Sequence, residues 1–253
     1  MKIATWNVNS LRARLPRVLE LLELHKPDVL LMQETKLDPG KFPKLDFETA
    51  GYEAADHSAG RWAGVAIASR HGIANVASGL PGEPDPAEAR WIEADVGGLR
   101  LASVYVPNGR AIGTDTFAAK LAFLDAMGPH AAGLDVVGGD MNVCPTDDDV
   151  YDPAAFAGET HVTPDERERL AAVIGAGMVD AYRRFAPDVQ QFTWWDYRQG
   201  HFHRGLGLRI DLLLVKSALA PGIASVGIDR NFRKGPKPSD HAPLLMDLTL
   251  SGG

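Results

Sequence analysis

Two short polar motifs in this chain carry side chains that could do hydrolytic chemistry. Asp140 and Asn142 lie in Gly-Asp-Met-Asn, Asp240 and His241 lie in Ser-Asp-His, and each motif borders a short apolar run. Alternation along a strand would put Asp140 and Asn142 on one face of a sheet. The alternative is a tight turn after Gly138 and Gly139 in which the aspartate caps the backbone. A carboxylate, an amide and an imidazole gathered at strand ends can deprotonate a water, orient it and stabilise negative charge on a phosphoryl group.

Asn7 and Glu34 extend this pattern to two more predicted strands. Asn7 follows the apolar run at residues 3–6, and Glu34 follows the run at residues 29–32. Hard cations such as Mg²⁺ prefer oxygen ligands, so Glu34 is the best candidate for a metal ligand. A strand-end glutamate taken alone is more often a solvated carboxylate. The strand ends taken together predict a metal-dependent phosphodiesterase.

Three further residues fit the same chemistry. Tyr105 and Asn108 end another apolar run, where a phenol can donate to a phosphate oxygen and an amide can bond the same backbone. Asp211 directly precedes a run of aliphatic residues and is a candidate to orient the imidazole of His241, fixing its tautomer and raising its basicity. Taken singly, an aspartate at a strand start or a surface histidine is usually structural.

The elements that must position these side chains are mostly short strands. Apolar runs rich in Val, Ile, Leu and aromatic residues predict strands at residues 3–6, 29–32, 64–68, 99–106, 134–137, 178–180, 192–197, 210–215, 223–228 and 244–250. Apolar residues at helical spacing between Leu15 and Leu22 predict a helix after the first strand. A capping box at Thr163 predicts a second helix that ends near Gly175, and residues 79–89 read as an exposed loop.

The length fits one large α/β domain or two small ones, and 45% hydrophobic with 23% charged residues predicts a folded core. One domain over residues 1–253 is favoured because no low-complexity linker interrupts the predicted strands. The only cysteine, Cys144, excludes an intramolecular disulfide and favours a cytoplasmic protein. No apolar run is long enough to span a membrane. The sequence also lacks the extended apolar helix that would predict a dimer, so a monomer is expected. The net charge of -7 argues against nonspecific coating of nucleic acid. Residues 198–237 are nonetheless mainly basic and suit a polyanion, whereas residues 140–168 are mainly acidic and suit a metal.

Several motifs occur along nearly the whole chain, at residues 5–12, 33–36, 105–109, 139–142, 194–198, 204–211 and 238–241. In these motifs the chain resembles exodeoxyribonuclease III and the related apurinic/apyrimidinic endonucleases, within the endonuclease/exonuclease/phosphatase superfamily. The single catalytic residues are shared across that superfamily and imply phosphoester chemistry. Gln-Glu-Thr-Lys at 33–36, Trp-Trp-Asp-Tyr-Arg at 194–198 and Leu-Arg-Ile-Asp at 208–211 resemble the DNA repair branch more specifically.

The resemblance implies a four-layer α/β sandwich, in which two face-to-face, mainly antiparallel sheets are flanked by helices. It assigns catalysis to Asp140, Asn142, Tyr105, Asp211 and His241. It places Mg²⁺ or Mn²⁺ near Glu34, Asn7, Asp240, Asp140 and Asn142. It assigns substrate binding to Asn108, Trp194, Leu208, Arg209 and Lys120. Trp194 and Leu208 would wall an apolar pocket that accepts a flipped sugar without a base.

The implied activity is metal-dependent hydrolysis 5′ to abasic sites, with 3′ to 5′ exonuclease and trimming of blocked 3′ ends, on double-stranded DNA by a monomer. A phosphatase acting on phosphoinositides or sphingolipids would need other substrate loops at residues 194–198 and 209–211. A non-catalytic DNA-binding module would have lost Glu34, Asp140 or His241, and all three are present. A plain α/β domain without a site leaves the polar strand ends unexplained.

Overall fold

Within residues 1–250, which the computed structural model describes, twelve strands form two six-stranded sheets. The first sheet has the spatial order β11 (Ile223–Ile228), β12 (Leu244–Leu248), β1 (Lys2–Asn7), β2 (Val29–Gln33), β4 (Val65–Ser69) and β3 (Glu53–His57). The second has the order β5 (Ala74–Ser78), β6 (Trp91–Val96), β7 (Leu99–Tyr105), β8 (Val136–Asp140), β10 (Asp211–Lys216) and β9 (Met178–Asp180). β1 pairs with β2 and β7 with β8 in parallel, and the other pairs are antiparallel.

Helices cover the outer faces of both sheets. The helices are α1 (Leu11–His25), α2 (Lys44–Thr49), α3 (Asp115–Ala131), α4 (Pro164–Gly175), α5 (Ala181–Phe185) and α6 (His201–Arg204). α1 and α2 pack on the first sheet, and α3 and α4 pack on the second. The predicted capping box is confirmed, because Thr163 and Glu166 bond each other's backbone amides at the start of α4. In the described part of the chain, no helix is both long and apolar enough to cross a membrane.

The main core lies between the two sheets, where inward-facing aliphatic side chains such as Leu31, Leu213 and Leu244 pack together. Gly138 on β8 permits this close approach, since a Cβ there would lie 2.5 Å from Leu31 Cδ1 and 2.8 Å from Leu213 Cδ2. Separate cores fill the space between each sheet and its helices. The predicted four-layer α/β sandwich with mainly antiparallel sheets is therefore confirmed.

Most predicted elements are confirmed to within a few residues, and residues 79–89 contain no strand or helix. The strand predicted at residues 192–197 is wrong. Trp194 there makes only isolated bridges to Leu208 and His241, which themselves lie outside the strands, so the segment does not extend either sheet. The sequence patterns missed β3, β5 and β6 among the strands and α2, α3, α5 and α6 among the helices. β5 is exposed along its whole length, and α3 contains Pro129, so neither has the usual pattern.

Candidate active site

Strand direction brings the polar residues of the candidate site to one end of both sheets. β1 and β2 are parallel, so Asn7 and Glu34 leave the first sheet side by side. β7 and β8 are also parallel, and Tyr105 lies opposite Asp140. β10 runs the other way and begins at this end, with Asp211 opposite Asp140. Side chains far apart in sequence therefore converge on a single cleft between the sheets.

Asn7 joins the two carboxylates nearest the centre of the cleft. Its amide nitrogen donates to Glu34 Oε1 at 2.7 Å and to Asp140 Oδ2 at 2.9 Å. The side-chain oxygen of Asn7 accepts a hydrogen bond from the backbone N–H of Asn9 at 3.0 Å. Its backbone carbonyl accepts one from Ser239 Oγ at 2.7 Å. Asn7 is fully buried, and these bonds fix it as a donor between the carboxylates. Its predicted role beside a metal stays a prediction.

His241 lies between two carboxylates. Its Nδ1 is 2.8 Å from Asp211 Oδ2, and its Nε2 is 3.7 Å from Asp140 Oδ2. Burial by itself would lower the pKa of His241, but the Asp211 and Asp140 carboxylates outweigh burial and raise the pKa to about 10. The imidazole therefore carries a positive charge at neutral pH, which suits a group that stabilises an anionic phosphate.

Asp140 is almost completely buried at the end of β8. Burial raises its pKa to about 7, although the positive charge of His241 and the hydrogen bond from Asn7 oppose that rise. Its Oδ1 accepts the backbone N–H of Asn142 at 2.9 Å. A carboxyl group that titrates near neutrality is suited to take a proton from a nucleophilic water.

Asn142 lies just beyond β8, in a left-handed backbone conformation with φ of 50°. The prediction that strand alternation puts Asp140 and Asn142 on one face is therefore wrong, because the strand ends at Asp140 and the chain turns. The side chain still reaches the site. Its Nδ2 donates to the Val106 carbonyl at 2.9 Å, and its Oδ1 accepts from Asn108 Nδ2 at 3.1 Å.

Asp240 lies beside the central carboxylates and is linked to them through Asn9. Asn9 Nδ2 donates to Asp240 Oδ1 at 2.9 Å, and the indole Nε1 of Trp194 donates to Asp240 Oδ2 at 3.0 Å. Lys36 Nζ bridges Asn9 Oδ1 at 2.6 Å and Glu34 Oε2 at 2.7 Å. Lys36 was not predicted as a site residue, although it ends the Gln-Glu-Thr-Lys motif that contains Glu34.

Glu34, Asp140 and His241 form a candidate metal site, since one ligand atom of each lies within 4.8 Å of the others. Two of the three ligands are carboxylates, which suit a hard divalent cation. A protonated His241 has no free lone pair, so the carboxylates of Glu34 and Asp140 fit the metal better than the imidazole does. The donor set therefore fits a hard, oxygen-binding cation.

Tyr105 is buried beside the carboxylates, and the guanidinium of Arg90 lies 4.7 Å from its ring centre. Burial and the nearby Glu34 and Asp140 carboxylates raise the pKa of Tyr105 well above its usual range. The phenol therefore stays protonated and can act only as a neutral donor. A cleft of about 320 Å³ opens next to Tyr105 and is also lined by Trp62 and Asn108.

Residues 4–241 match the sequence profile of the Endonuclease/Exonuclease/phosphatase family, and this match spans the whole site. The chain belongs to this family. Exodeoxyribonuclease III from Haemophilus influenzae is 31% identical to this family member over 266 residues, which cover 98% of this chain and 100% of that protein. The relationship predicted from the sequence motifs is confirmed.

Solved structures agree with this assignment. The 3′-5′ exonuclease (NExo) from Neisseria meningitidis has a TM-score of 0.96 and 38% identity to this family member, covering 99% of this chain and 100% of that chain. An AP endonuclease from Archaeoglobus fulgidus has a TM-score of 0.94 and 37% identity, with the same coverage of 99% and 100%. The family fold therefore extends over nearly the full length of each chain.

Lys120 and Arg209, which were expected to bind substrate, are both fully buried in this family member. Lys120 Nζ is paired with the buried carboxylate of Glu166. Arg209 Nε lies 2.7 Å from Asp149 Oδ1, and its Nη2 lies 2.8 Å from Asp180 Oδ2. Because both charges are taken up by interior carboxylates, neither side chain reaches a surface on which DNA could lie. The structure corrects that expectation.

Trp194 and Leu208 lie next to each other, as a shared pocket wall requires. Leu208 is fully buried in a small core with Cys144, Val150 and Ile210, whereas Trp194 is only partly buried and packs against it. Trp194 is therefore the more exposed member of the pair. The pocket for a sugar without a base stays a prediction.

His161 contacts the site although no sequence pattern singled it out. It has a φ of 79°, and its Nδ1 lies 2.5 Å from the carbonyl oxygen of Asn142. Burial and the charge of Lys120 lower the pKa of His161 to about 4, so the ring is neutral and donates from Nδ1. The segment before α4 gives no periodic signal, which explains why this contact was not predicted.

Proposed function

We propose that this protein is a DNA repair nuclease that hydrolyses phosphodiester bonds of double-stranded DNA. Its activities are incision 5′ to abasic sites, 3′ to 5′ exonucleolytic removal of nucleotides, and trimming of blocked 3′ ends. The relatives named above are DNA nucleases, one called an exonuclease and another an AP endonuclease. The observation that carries the proposal is the buried contact of Asp140 with Asn7 and His241 at the shared end of the two sheets.

The side chains divide the chemistry among themselves. Asp140 takes the proton of the attacking water, and Asn142 orients that water through the amide network that it shares with Asn108. The imidazolium of His241 and the phenol of Tyr105 donate to the phosphate oxygens and stabilise the charge that grows on them in the transition state. Asp211 holds His241 in the protonated, correctly oriented form.

Glu34 and Asp140 would hold Mg²⁺ or Mn²⁺, with Asn7 and Asp240 beside it. Such a cation supplies charge neutralisation at the phosphate and at the departing oxygen. Asn9 and Lys36 fix Asp240 and Glu34 in place before any cation binds. The chemistry of the donor set supports a hard divalent cation, and a titration with each metal would identify it.

The DNA substrate would lie over the cleft, where Asn108 is exposed and Trp194 presents its partly buried ring. The exposed basic residues between positions 198 and 237, such as Arg198 and Arg204, supply the charge that a phosphate backbone requires. We also propose that residues 1–253 act as one domain and as a monomer in the cytoplasm. Sedimentation that reveals a stable dimer would refute the proposed monomer, and fractionation that places the protein outside the cytoplasm would refute the proposed location.

Cleavage of labelled duplexes tests the function. The substrates are a duplex with one tetrahydrofuran abasic analogue, the same duplex undamaged, and a duplex with a 3′-phosphate, each assayed with Mg²⁺ and with EDTA. Wild type is compared with Asp140→Asn and with Asp125→Asn, which removes a carboxylate that is mostly exposed on α3 and bonds Arg169. We expect metal-dependent cleavage that Asp140→Asn reduces by at least about 1,000-fold and Asp125→Asn leaves intact.

The pattern of products separates the activities. Incision at the analogue supports the abasic-site activity and the pocket beside Trp194. Loss of nucleotides or phosphate from 3′ ends without internal incision would remove the abasic-site proposal and keep the phosphodiesterase site. Hydrolysis of phosphoinositides without any DNA cleavage would replace the proposed function by the phosphatase alternative.

A further inference from the structure

Lys120 makes an unusual set of contacts for a lysine inside a protein. Its Nζ donates to the carbonyl oxygens of Asn142 at 2.7 Å and Asn108 at 3.2 Å, and to Thr160 Oγ1 at 3.1 Å. Its fourth partner is the carboxylate of Glu166, and both charged side chains are fully shielded from solvent. A single ammonium thus ties α3 and α4 to two loops of the active site.

Glu166 is shared between this ion pair and the start of α4. Its Oε1 accepts from Lys120, from Thr160 Oγ1 at 2.7 Å and from the His161 backbone N–H at 2.9 Å. Its Oε2 accepts from the backbone N–H of Thr163 at 3.0 Å. The helix cap therefore holds the Glu166 carboxylate in place, and the carboxylate in turn fixes the position of the Lys120 ammonium group.

Stability alone is a poor explanation for a buried ion pair. The cost of removing two charges from water often cancels their attraction, and apolar replacements of similar volume are frequently as stable. The loop above the pair is also shaped to fit it. A Cβ at Gly109 would lie 2.8 Å from Lys120 Cδ, and Gly109 has a φ of 84°, so the chain can pass over the lysine stem only with glycine here.

The two carbonyls that Lys120 holds belong to residues whose side chains also bond each other, because Asn108 Nδ2 donates to Asn142 Oδ1 at 3.1 Å. We propose that Lys120 and Glu166 are a positioning pair for the reaction, which fixes Asn108 and Asn142 through their backbone carbonyls. Neither residue touches the substrate. This inference rests on the proposed function, because it assigns the pair to the same hydrolytic site.

A matched pair of double variants tests this role. Lys120→Met/Glu166→Gln removes both buried charges with little change of volume. Arg169→Met/Asp125→Asn removes a salt bridge that joins the same two helices near the surface, with Nε and Oδ1 3.0 Å apart. The other polar partner of Arg169 is Asp165, on α4 itself. We expect kcat to fall about 10- to 100-fold in the first variant with KM within about threefold of wild type, and no change of either in the second.

A kinetic cycle with Asn142→Ala separates positioning from general stability. If the pair acts through Asn142, then adding Lys120→Met/Glu166→Gln to the Asn142→Ala variant should lower kcat less than about threefold. The reason is that the Asn142 side chain, which the pair positions, is already absent. An equal loss in both backgrounds would overturn the proposal. If the first double variant does not fold, Glu166→Gln alone replaces it, since Lys120 then keeps its charge and its neutral acceptors.

A spectroscopic readout makes the test independent of catalysis. In metal-free protein, the side-chain amide signals of Asn108 and Asn142 should shift in Lys120→Met/Glu166→Gln and stay in place in Arg169→Met/Asp125→Asn. Unshifted signals in the first variant would overturn the positioning role. If wild type cleaves no DNA, the proposed function fails, while these amide signals still decide whether the pair positions the two asparagines.

Discussion

Nδ1 of His241 lies 2.8 Å from Oδ2 of Asp211, and both side chains are buried at the floor of the cleft. The other oxygen of Asp211 has no hydrogen-bond partner within the described chain. Among the side chains of the described residues, the Asp211 carboxylate therefore bonds only the imidazole of His241. Because the bond favours the charged ring, the part of the stability that comes from this charge is complete below a pH of ~6.5 and is lost as the pH rises through about 10.

Asp211→Asn should weaken the positive charge of His241. With the largest favourable influence removed, burial should lower the pKa of His241 from about 10, although Asp140 and Asp240 still raise it. Cleavage at pH 7.5 should fall at least about 100-fold, because the cationic donor to the phosphate is weakened. The ring is titrated by NMR in EDTA, and the rate is measured with saturating substrate.

A second histidine–aspartate pair provides the control for that variant. His25 Nε2 lies 2.8 Å from Asp229 Oδ2, in a partly exposed position away from the cleft. Asp229→Asn should leave the cleavage rate within about twofold of wild type. Equal losses in Asp211→Asn and Asp229→Asn would mean that the Asp211 effect is structural, and would contradict its role beside His241.

The positions of the central residues could be predicted because they depend on strand direction. Asn7, Tyr105 and Asp140 end strands, and Asp211 begins one, and each strand carries an apolar pattern that marks its end. The position of Asp140 opposite Tyr105 then follows from parallel pairing. Local sequence located these residues at strand ends, and the order and direction of the strands in the two sheets then bring them together.

The side chains supplied by loops could not be placed in this way. The contact of His161 with the Asn142 carbonyl depends on the path of an irregular segment, and the irregular segment around Trp194 was mistaken for a strand. The resemblance suggested that Lys120 and Arg209 bind DNA, but burial is decided by partners distant in sequence, such as Glu166 and Asp149. Residue type shows that a charge is present and does not show what neutralises it.

Glu34→Gln should weaken the binding of a divalent cation by about 10- to 100-fold. The variant removes one of the two carboxylates of the candidate metal site and keeps the shape of the side chain. Mn²⁺ affinity is measured by calorimetry and by the paramagnetic signal of the free ion. Glu20→Gln, which removes a half-exposed carboxylate on α1, should bind as wild type does. Unchanged affinity in Glu34→Gln would exclude Glu34 as a ligand.

The pH dependence of stability should report the buried pair of Lys120 and Glu166. Burial alone would raise the pKa of Glu166, but the lysine and the hydrogen bonds around it lower the pKa to about 2. A lowered pKa contributes stability that is complete above the value of ~4.3 for an unfolded glutamate and is lost as the pH falls toward 2. The free energy of unfolding of wild type should therefore decrease in this window.

The double variant Lys120→Met/Glu166→Gln should lack this acid-dependent loss, so its stability approaches or exceeds that of wild type as the pH falls from 5 to 2. Urea unfolding at each pH gives the comparison. Arg169→Met/Asp125→Asn should retain the wild-type dependence, because its carboxylate is mostly exposed. Parallel curves for wild type and the Lys120→Met/Glu166→Gln variant would show that Glu166 keeps an ordinary pKa in the folded protein.

Arg209→Met should unfold the protein more easily and leave substrate binding unchanged. Arg209 neutralises Asp149 and Asp180 in the interior, so its loss leaves buried carboxylates short of a partner and should cost about 3–5 kcal/mol of folding free energy. Arg183 remains 2.6 Å from Asp149 and offsets part of that cost. Below the unfolding temperature, KM for an abasic duplex should stay within about twofold of wild type.

Arg198→Met, which removes an exposed guanidinium from the basic segment, should instead raise KM and leave stability unchanged. If Arg209→Met raised KM without loss of stability, then Arg209 would contact DNA after all and the interior pairs would have to open when substrate binds.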